Sequence, residues 1–212
     1  SFPISTPSFI LRESLFYKVE NSLTHDILFP YISLGHHSNG QDGNAVNSDS
    51  SINHLTGSFA NNYAEAGIML LTQNIKPFNP FSTVRFFASY NQIDPVTIRN
   101  LYGKYRFSAE FESILFIDSS EKLKENTAKY GKSKITGLLH IELIEGPIIE
   151  NESLFSKRII ANYSLFYQPA FFGPFSIFTR FYWGQDYYNI NFDRSLSVIQ
   201  FGIAMKNLKL WY

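Results

Sequence analysis

A chain of 212 residues carries 18 basic and 18 acidic side chains, no cysteine, and an aromatic share of 17% that includes 21 Phe and 13 Tyr. Zero net charge leaves no electrostatic case for nucleic acid, and the missing cysteines exclude disulfides, thiolate zinc sites and thiol nucleophiles. No apolar run approaches the roughly 20 residues that a membrane helix requires. No charged and apolar leader opens the chain, which reads as starting at a mature or trimmed end.

Taken in chain order, the pattern is one of strands. Alternation of apolar and polar residues predicts strands near 9–20, 27–38, 58–74, 82–93, 101–117, 135–145, 158–168, 175–183 and 195–206. The clearest is "LYGKYRFSAEFESILFI" (Leu101 to Ile117). Its odd positions include Tyr105, Phe107, Phe111, Leu115 and Ile117, against Lys104, Arg106, Glu110 and Glu112 on the even side. Thr83 to Gln92 sets Val84, Phe86, Ala88 and Tyr90 against Arg85, Ser89 and Asn91. Ser195 to Lys206 places Ile199, Phe201, Ile203 and Met205 on one side.

Two architectures produce such strands. A soluble sandwich buries the apolar face between two sheets, whereas a membrane barrel turns it to lipid and keeps charge inside. Strand length, aromatic load and the terminal "LKLWY" favour the barrel. The expectation is therefore all-β: an antiparallel up-and-down transmembrane β-barrel, one domain over 1–212, with about nine strands visible. Parity puts the long polar loop Gln41 to Gly57 on the outer rim. It puts "NIKPFNPFS" and the long stretch Asp118 to Lys134 on the opposite rim. Lys104, Arg106, Glu110 and Glu112 are expected to face the lumen.

One stretch departs from plain alternation: "YISLGHHSNGQDG", Tyr31 to Gly43. Its even row, Ile32, Leu34, His36 and Ser38, is expected on the lipid side, with Tyr31, Ser33, Gly35 and His37 inside. A His and a Ser two apart on one strand face can stand in the relation of base and nucleophile. Polar residues at a membrane interface offer the plainer account of the same pair. His36 and His37 point to opposite faces, which argues against a shared metal.

"GHHSNGQ" resembles the His-x-Ser-Asn-Gly signature of the outer-membrane phospholipase A family, twelve-stranded barrels that hydrolyse phospholipid acyl esters. "DPVTIRNLYGKY" is similar to that family's Asn-Pro-Asp-Ile and Tyr-x-Gly-Tyr segment. "FYWGQDYYNINFDRSLSVIQFGIAM" is similar to its closing hairpin, with Asn189 to Arg194 approximating the Tyr-Asn-x-Asn-x-x-Arg signature. Together these span about residues 28–206. "SFANN" stands where the family has Ser-x-Ser-Trp-Asn, which puts the family's triad Asn on Asn62. Strand parity makes the same choice, since Ala60, Asn62, Ala64, Ala66, Ile68 and Leu70 form the lipid-side row. Asn61, Glu65 and Gln73 belong to the lumen.

The resemblance implies a calcium-dependent carboxylic ester hydrolase in the bacterial outer membrane. Ser38 would be its nucleophile, His36 its base, Asn62 the orienting amide and the Gly40 backbone N–H the oxyanion donor. It further implies a calcium ion held by the Gln41 backbone carbonyl and the Ser58 hydroxyl. Asp42 and Asp49 are candidate additional ligands from the loop, outside what the resemblance implies. The partners are phospholipid substrate and outer-membrane lipid, with a homodimer or a membrane-complex partner left open. The alternative is a silent barrel that serves as scaffold or subunit of an outer-membrane complex. The chain departs from the family pattern at Gln41, where Arg is usual, and at Asn61, where Trp is usual. It also has a longer loop between Ser38 and Asn62, and about one strand before the motif where the family has four.

Overall fold

Period-two alternation and a supply of β-branched and aromatic residues commit most of this chain to strands. The structure, a computed structural model, describes residues 9–20, 26–72, 81–117, 133–146, 158–186 and 190–205. Among them, ten antiparallel strands form one sheet: β1 (Phe9–Phe16), β2 (Val19–Glu20), β3 (Ile27–Ser38), β4 (Ala60–Leu71), β5 (Phe81–Ile93), β6 (Tyr105–Ile117), β7 (Lys134–Ile144), β8 (Ile159–Gln168), β9 (Phe175–Gln185) and β10 (Ser195–Met205). The spatial order is β1, then β3 through β10 in sequence, with β2 also paired to β3. The chain is an up-and-down meander in one sheet, not two packed sheets.

Two predicted elements are corrected. The strand expected over 9–20 breaks into β1 and β2. Tyr17 N–H donates to Pro30 O at 3.0 Å, but Pro30 has no N–H to return the bond. The ladder lapses there and resumes at Val19 opposite Leu28. The strand expected from Leu101 begins at Tyr105, because Val96–Tyr102 forms a helix, α1. Ile98, Leu101 and Tyr102 recur at helical spacing and pack into one apolar cluster, a signal that the alternating reading of the next strand overran. Gly103, at φ +96°, ends the helix and donates its N–H to Arg99 O.

The two faces of the sheet are inverted relative to a soluble protein. Ile32, Leu34, Phe107, Phe201 and Ile203 are each more than half exposed, at 59, 69, 52, 76 and 67%. Ser33, Asn61, Glu65, Ser164 and Ser176, on the other face, are buried. Glu13 interrupts the exposed apolar row on the edge strand β1.

The buried face pairs its charges. Arg12 donates to Glu65 at 2.6 Å and to Ser33 at 3.2 Å, and the Tyr31 hydroxyl donates to Glu65 at 2.7 Å. Arg85 meets Glu110 at 2.9 Å, and Glu110 meets His140 at 3.1 Å. Arg106 donates to Glu142 at 2.7 Å, with Ser108 on the same carboxylate at 3.0 Å. Lys104 is the exception to the expected inward set. It is exposed, with its ammonium 5.8 Å from the Tyr90 ring centroid and 5.3 Å from that of Tyr105, both on the outer face. It stands in the turn after Gly103, before strand parity begins to apply.

This inner face is concave. Arg106 on β6 donates to Gln185 on β9 at 2.8 Å, whereas three strand spacings in a flat sheet total about 14 Å. The meander leaves β1 and β10 as the edges, and both run away from the Ser38 end of β3. Direct joining of these edges would therefore make a parallel seam.

At the Ser38 end, connecting segments fold together. Phe59, Ile93, Ile98, Ile190 and Phe192 form a buried cluster drawn from the 39–59 loop, β5, α1 and the segment before β10. Phe59 and Phe192 meet edge to face at 4.9 Å. Residues 73–80, among them Gln73 and most of the stretch expected as a turn, most of Asp118 to Lys134, the terminal "LKLWY" and Asn189 lie outside the described residues.

Candidate functional site

The outer row of β3 ends in His36 and Ser38, and antiparallel pairing decides what stands beside them. His36 is opposite Leu11 on β1 and Asn62 on β4, and Asn62 is opposite Gln92 on β5. Ser38 is opposite Phe9 and Ala60. Paired positions share a face, so His36, Asn62 and Gln92 form a polar row at the top of an apolar wall.

His36 Nδ1 lies 2.8 Å from Asn62 Oδ1. A carboxamide oxygen cannot donate, so Nδ1 carries the proton and Nε2 of the neutral ring is left as the acceptor. That is the tautomer a general base needs. Asn61 does not compete. It is buried on the inner face, where its amide donates to Asn91 Oδ1 at 2.9 Å and the Asn91 Nδ2 donates to Gly103 O at 3.1 Å. His37 also faces inward, edge-on to Phe59 at 4.9 Å, so the two histidines do not share a ligand.

The Ser38 hydroxyl makes no hydrogen bond to His36. Positions i and i+2 of a strand are about 7 Å apart, a gap that two side chains can span by rotation, and catalytic contacts are often loose before substrate binds. The His–Asn leg of the predicted constellation is thus formed and the Ser–His leg is open.

Asn39, fully buried and absent from the sequence-based candidates, builds the loop that flanks Ser38. Its amide donates to Gly57 O at 2.8 Å, and its oxygen accepts from Phe59 N at 3.1 Å and Gln41 N at 3.4 Å. One side chain therefore ties both ends of the 39–59 loop together. The Asn-Gly dipeptide was the available signal, since Asn commonly bonds backbone near a turn. Gly40 follows at φ +63°, a region that costs other residues about 1–2 kcal/mol. A Cβ there would also lie 3.0 Å from the Phe9 ring.

An open groove of about 820 Å³ borders His36, Ser38, Gly40, Gln41, Ser58 and Asn62, and extends to Asp42, Gln92 and Asp94. Seven of the eight residues proposed from sequence as catalysts or metal ligands thus line one space, Asp49 being the eighth. Gln92 was not singled out, although its even position on the outer row of its strand was legible. Asp49 is corrected. It accepts from Ser51 N at 2.9 Å and Ser51 Oγ at 2.6 Å, bonds that hold its carboxyl below the usual range. It braces a turn instead of bordering the groove.

No cluster of three or more His, Asp or Glu able to hold a metal occurs among the described residues. A cation here would rest on the Gln41 carbonyl, the Ser58 hydroxyl and the Asp42 carboxylate, all oxygen donors of the kind a hard divalent ion takes. Comparison with models of known protein families, with curated proteins and with solved structures finds no match for this chain.

Proposed function

We propose that this protein is a calcium-dependent phospholipase of the outer-membrane phospholipase A type, a transmembrane β-barrel that hydrolyses acyl esters at its lipid-facing wall. The observation that carries the reading is the His36–Asn62 hydrogen bond, made on an exposed apolar face with Ser38 next in the same row. The inversion of the sheet, apolar outside and ion-paired inside, supports the membrane setting.

The chemistry follows from the tautomer. His36 Nε2 takes the Ser38 proton as Oγ attacks the ester carbonyl, forming a tetrahedral oxyanion. The Gly40 N–H, two residues beyond Ser38 at the border of the same groove, would donate to that oxygen. Collapse expels the alcohol, which receives the proton from His36. Water then attacks the acyl-serine with His36 again as base, releasing the fatty acid. Asn62 holds the ring throughout. A neutral amide suits this position, because an ionised carboxylate would be costly beside hydrocarbon. A bound calcium ion would supply positive charge close to the developing oxyanion.

The open Ser38–His36 leg favours a second reading, a catalytically silent scaffold in a membrane complex. Purified protein assayed on phospholipid–detergent micelles with calcium separates the two. The enzyme reading expects fatty-acid release that Ser38→Ala abolishes and His36→Ala reduces nearly as far. An inactive wild type, or a fully active Ser38→Ala, refutes it.

A further inference from the structure

The 39–59 loop supplies much of the groove wall, and its far end meets a segment distant in sequence. His54 Nε2 lies 3.4 Å from Asp193 Oδ2, an ion pair whenever the ring is protonated. The other polar atom of each side chain, His54 Nδ1 and Asp193 Oδ1, is covered from solvent with no hydrogen-bond partner among the described residues. Each side chain therefore has the other as its polar contact, and a covered polar group that loses its partner is costly.

Both sides of this contact are braced. Gln185, at the end of β9, accepts from Arg106 at 2.8 Å and donates to Phe192 O at 3.0 Å. Asp186 N–H donates to Arg194 O at 2.8 Å. Asp193 thus stands between two residues anchored to the end of the sheet. On the loop side, the Asn53 amide oxygen accepts from Leu55 N–H at 3.2 Å and Thr56 N–H at 3.1 Å, and Gly57 N–H donates to Asn53 O at 3.0 Å. His54 sits inside that turn. Gly43 N–H donates to Thr56 O at 3.0 Å, and Ser58 N–H donates to Gly43 O at 2.8 Å. The two backbones approach so closely that a Cβ on Gly43 would lie 2.4 Å from Thr56 O. A shift of His54 is therefore passed to Gly43 and Ser58, which border the groove with Gln41 and Asp42.

We infer that His54 and Asp193 form a clasp that positions the groove loop for catalysis. The inference rests on the esterase reading above and gives neither residue a contact with substrate. Asn39 fixes the loop where it meets the sheet. The clasp fixes its far end, and with it the wall from Gly40 to Gly43.

The test pairs amide hydrogen exchange of the detergent-solubilised protein with hydrolysis of phospholipid micelles in calcium. Asp193→Ala and His54→Ala should each speed exchange over residues 43–58 about tenfold, the worth of one charge-assisted contact, while β3 and β4 keep wild-type protection. Each should lower kcat about fivefold, since a displaced wall misplaces the groups that meet the transition state. The double variant should lose no more than either single, because both remove one interaction. Asp193→Asn, which keeps an acceptor oxygen for the ring, should recover part of the loss. Glu20→Gln, which breaks an ion pair with Lys18 at the opposite rim, should move neither measurement. Unchanged exchange over 43–58 in both single variants overturns the clasp, as does exchange that rises equally in β3 and β4. Faster loop exchange with wild-type kcat overturns the positioning role, and a double variant whose loss is the product of the singles overturns the pairing. A wild type inactive on phospholipid ends the esterase reading and the positioning role with it, while exchange, which needs no substrate, still decides the clasp.

Discussion

Asn62→Ala probes the strongest geometric feature of the site. The substitution removes the acceptor 2.8 Å from His36 Nδ1 and leaves Ser38 and the strand pairing of β3 with β4 in place. In the resting protein this is a solvent-accessible hydrogen bond, worth about 0.5–1.5 kcal/mol, so the stability loss should stay under about 1.5 kcal/mol. In the transition state His36 carries a proton on both nitrogens, and the same bond becomes charge-assisted, worth about 1.5–3 kcal/mol. Only the difference, about 1–1.5 kcal/mol, acts on turnover, so at about 1.4 kcal/mol per decade kcat should fall roughly 5- to 12-fold. The assay is steady-state hydrolysis of a phospholipid in micelles with calcium, beside Asn61→Ala as comparator. Asn61 bonds inward to Asn91, so its loss should lower stability more than turnover. Wild-type kcat in Asn62→Ala would refute the argument and reduce the His–Asn pair to incidental polarity at a rim.

Three further outcomes are expected. Calcium chelation should lower ester hydrolysis, with circular dichroism showing an unchanged strand signal, because the proposed oxygen donors lie in the loop and not in the sheet. Asn39→Ala should destabilise the protein by about 2–3 kcal/mol in denaturant unfolding, since it strands the buried Phe59 N–H and Gly57 carbonyl that Asn39 satisfies. Arg106→Ala should cost about 3–5 kcal/mol by leaving the largely covered Glu142 carboxylate without its guanidinium, while Arg106→Met combined with Glu142→Leu should recover much of that loss in the same unfolding assay.

Alternation along the chain was enough to order most of the strands and to choose their faces. A period of two leaves no freedom once one row is apolar: Ile32 and Leu34 face out, so His36 does too, and on β4 Asn62 shares its face with Ala64 and Ala66. The pairing of His36 with Asn62 was therefore legible as a matter of face, and the motif made the choice specific. What alternation cannot supply is register and distance. Opposition of His36 to Asn62 instead of Ala60 or Ala64 depends on how the 39–59 loop closes, and that closure depends on Asn39 and on Phe59 packing against Ile98 and Phe192. The same long-range cluster turned Val96–Tyr102 into a helix and left Lys104 outside the parity of β6. The break opposite Pro30 and the meeting of His54 with Asp193 likewise arise between segments apart in sequence. Residue order sets which face a side chain takes, because that is a local property of the pleat. Which neighbours it meets there is set by the pairing of the whole sheet.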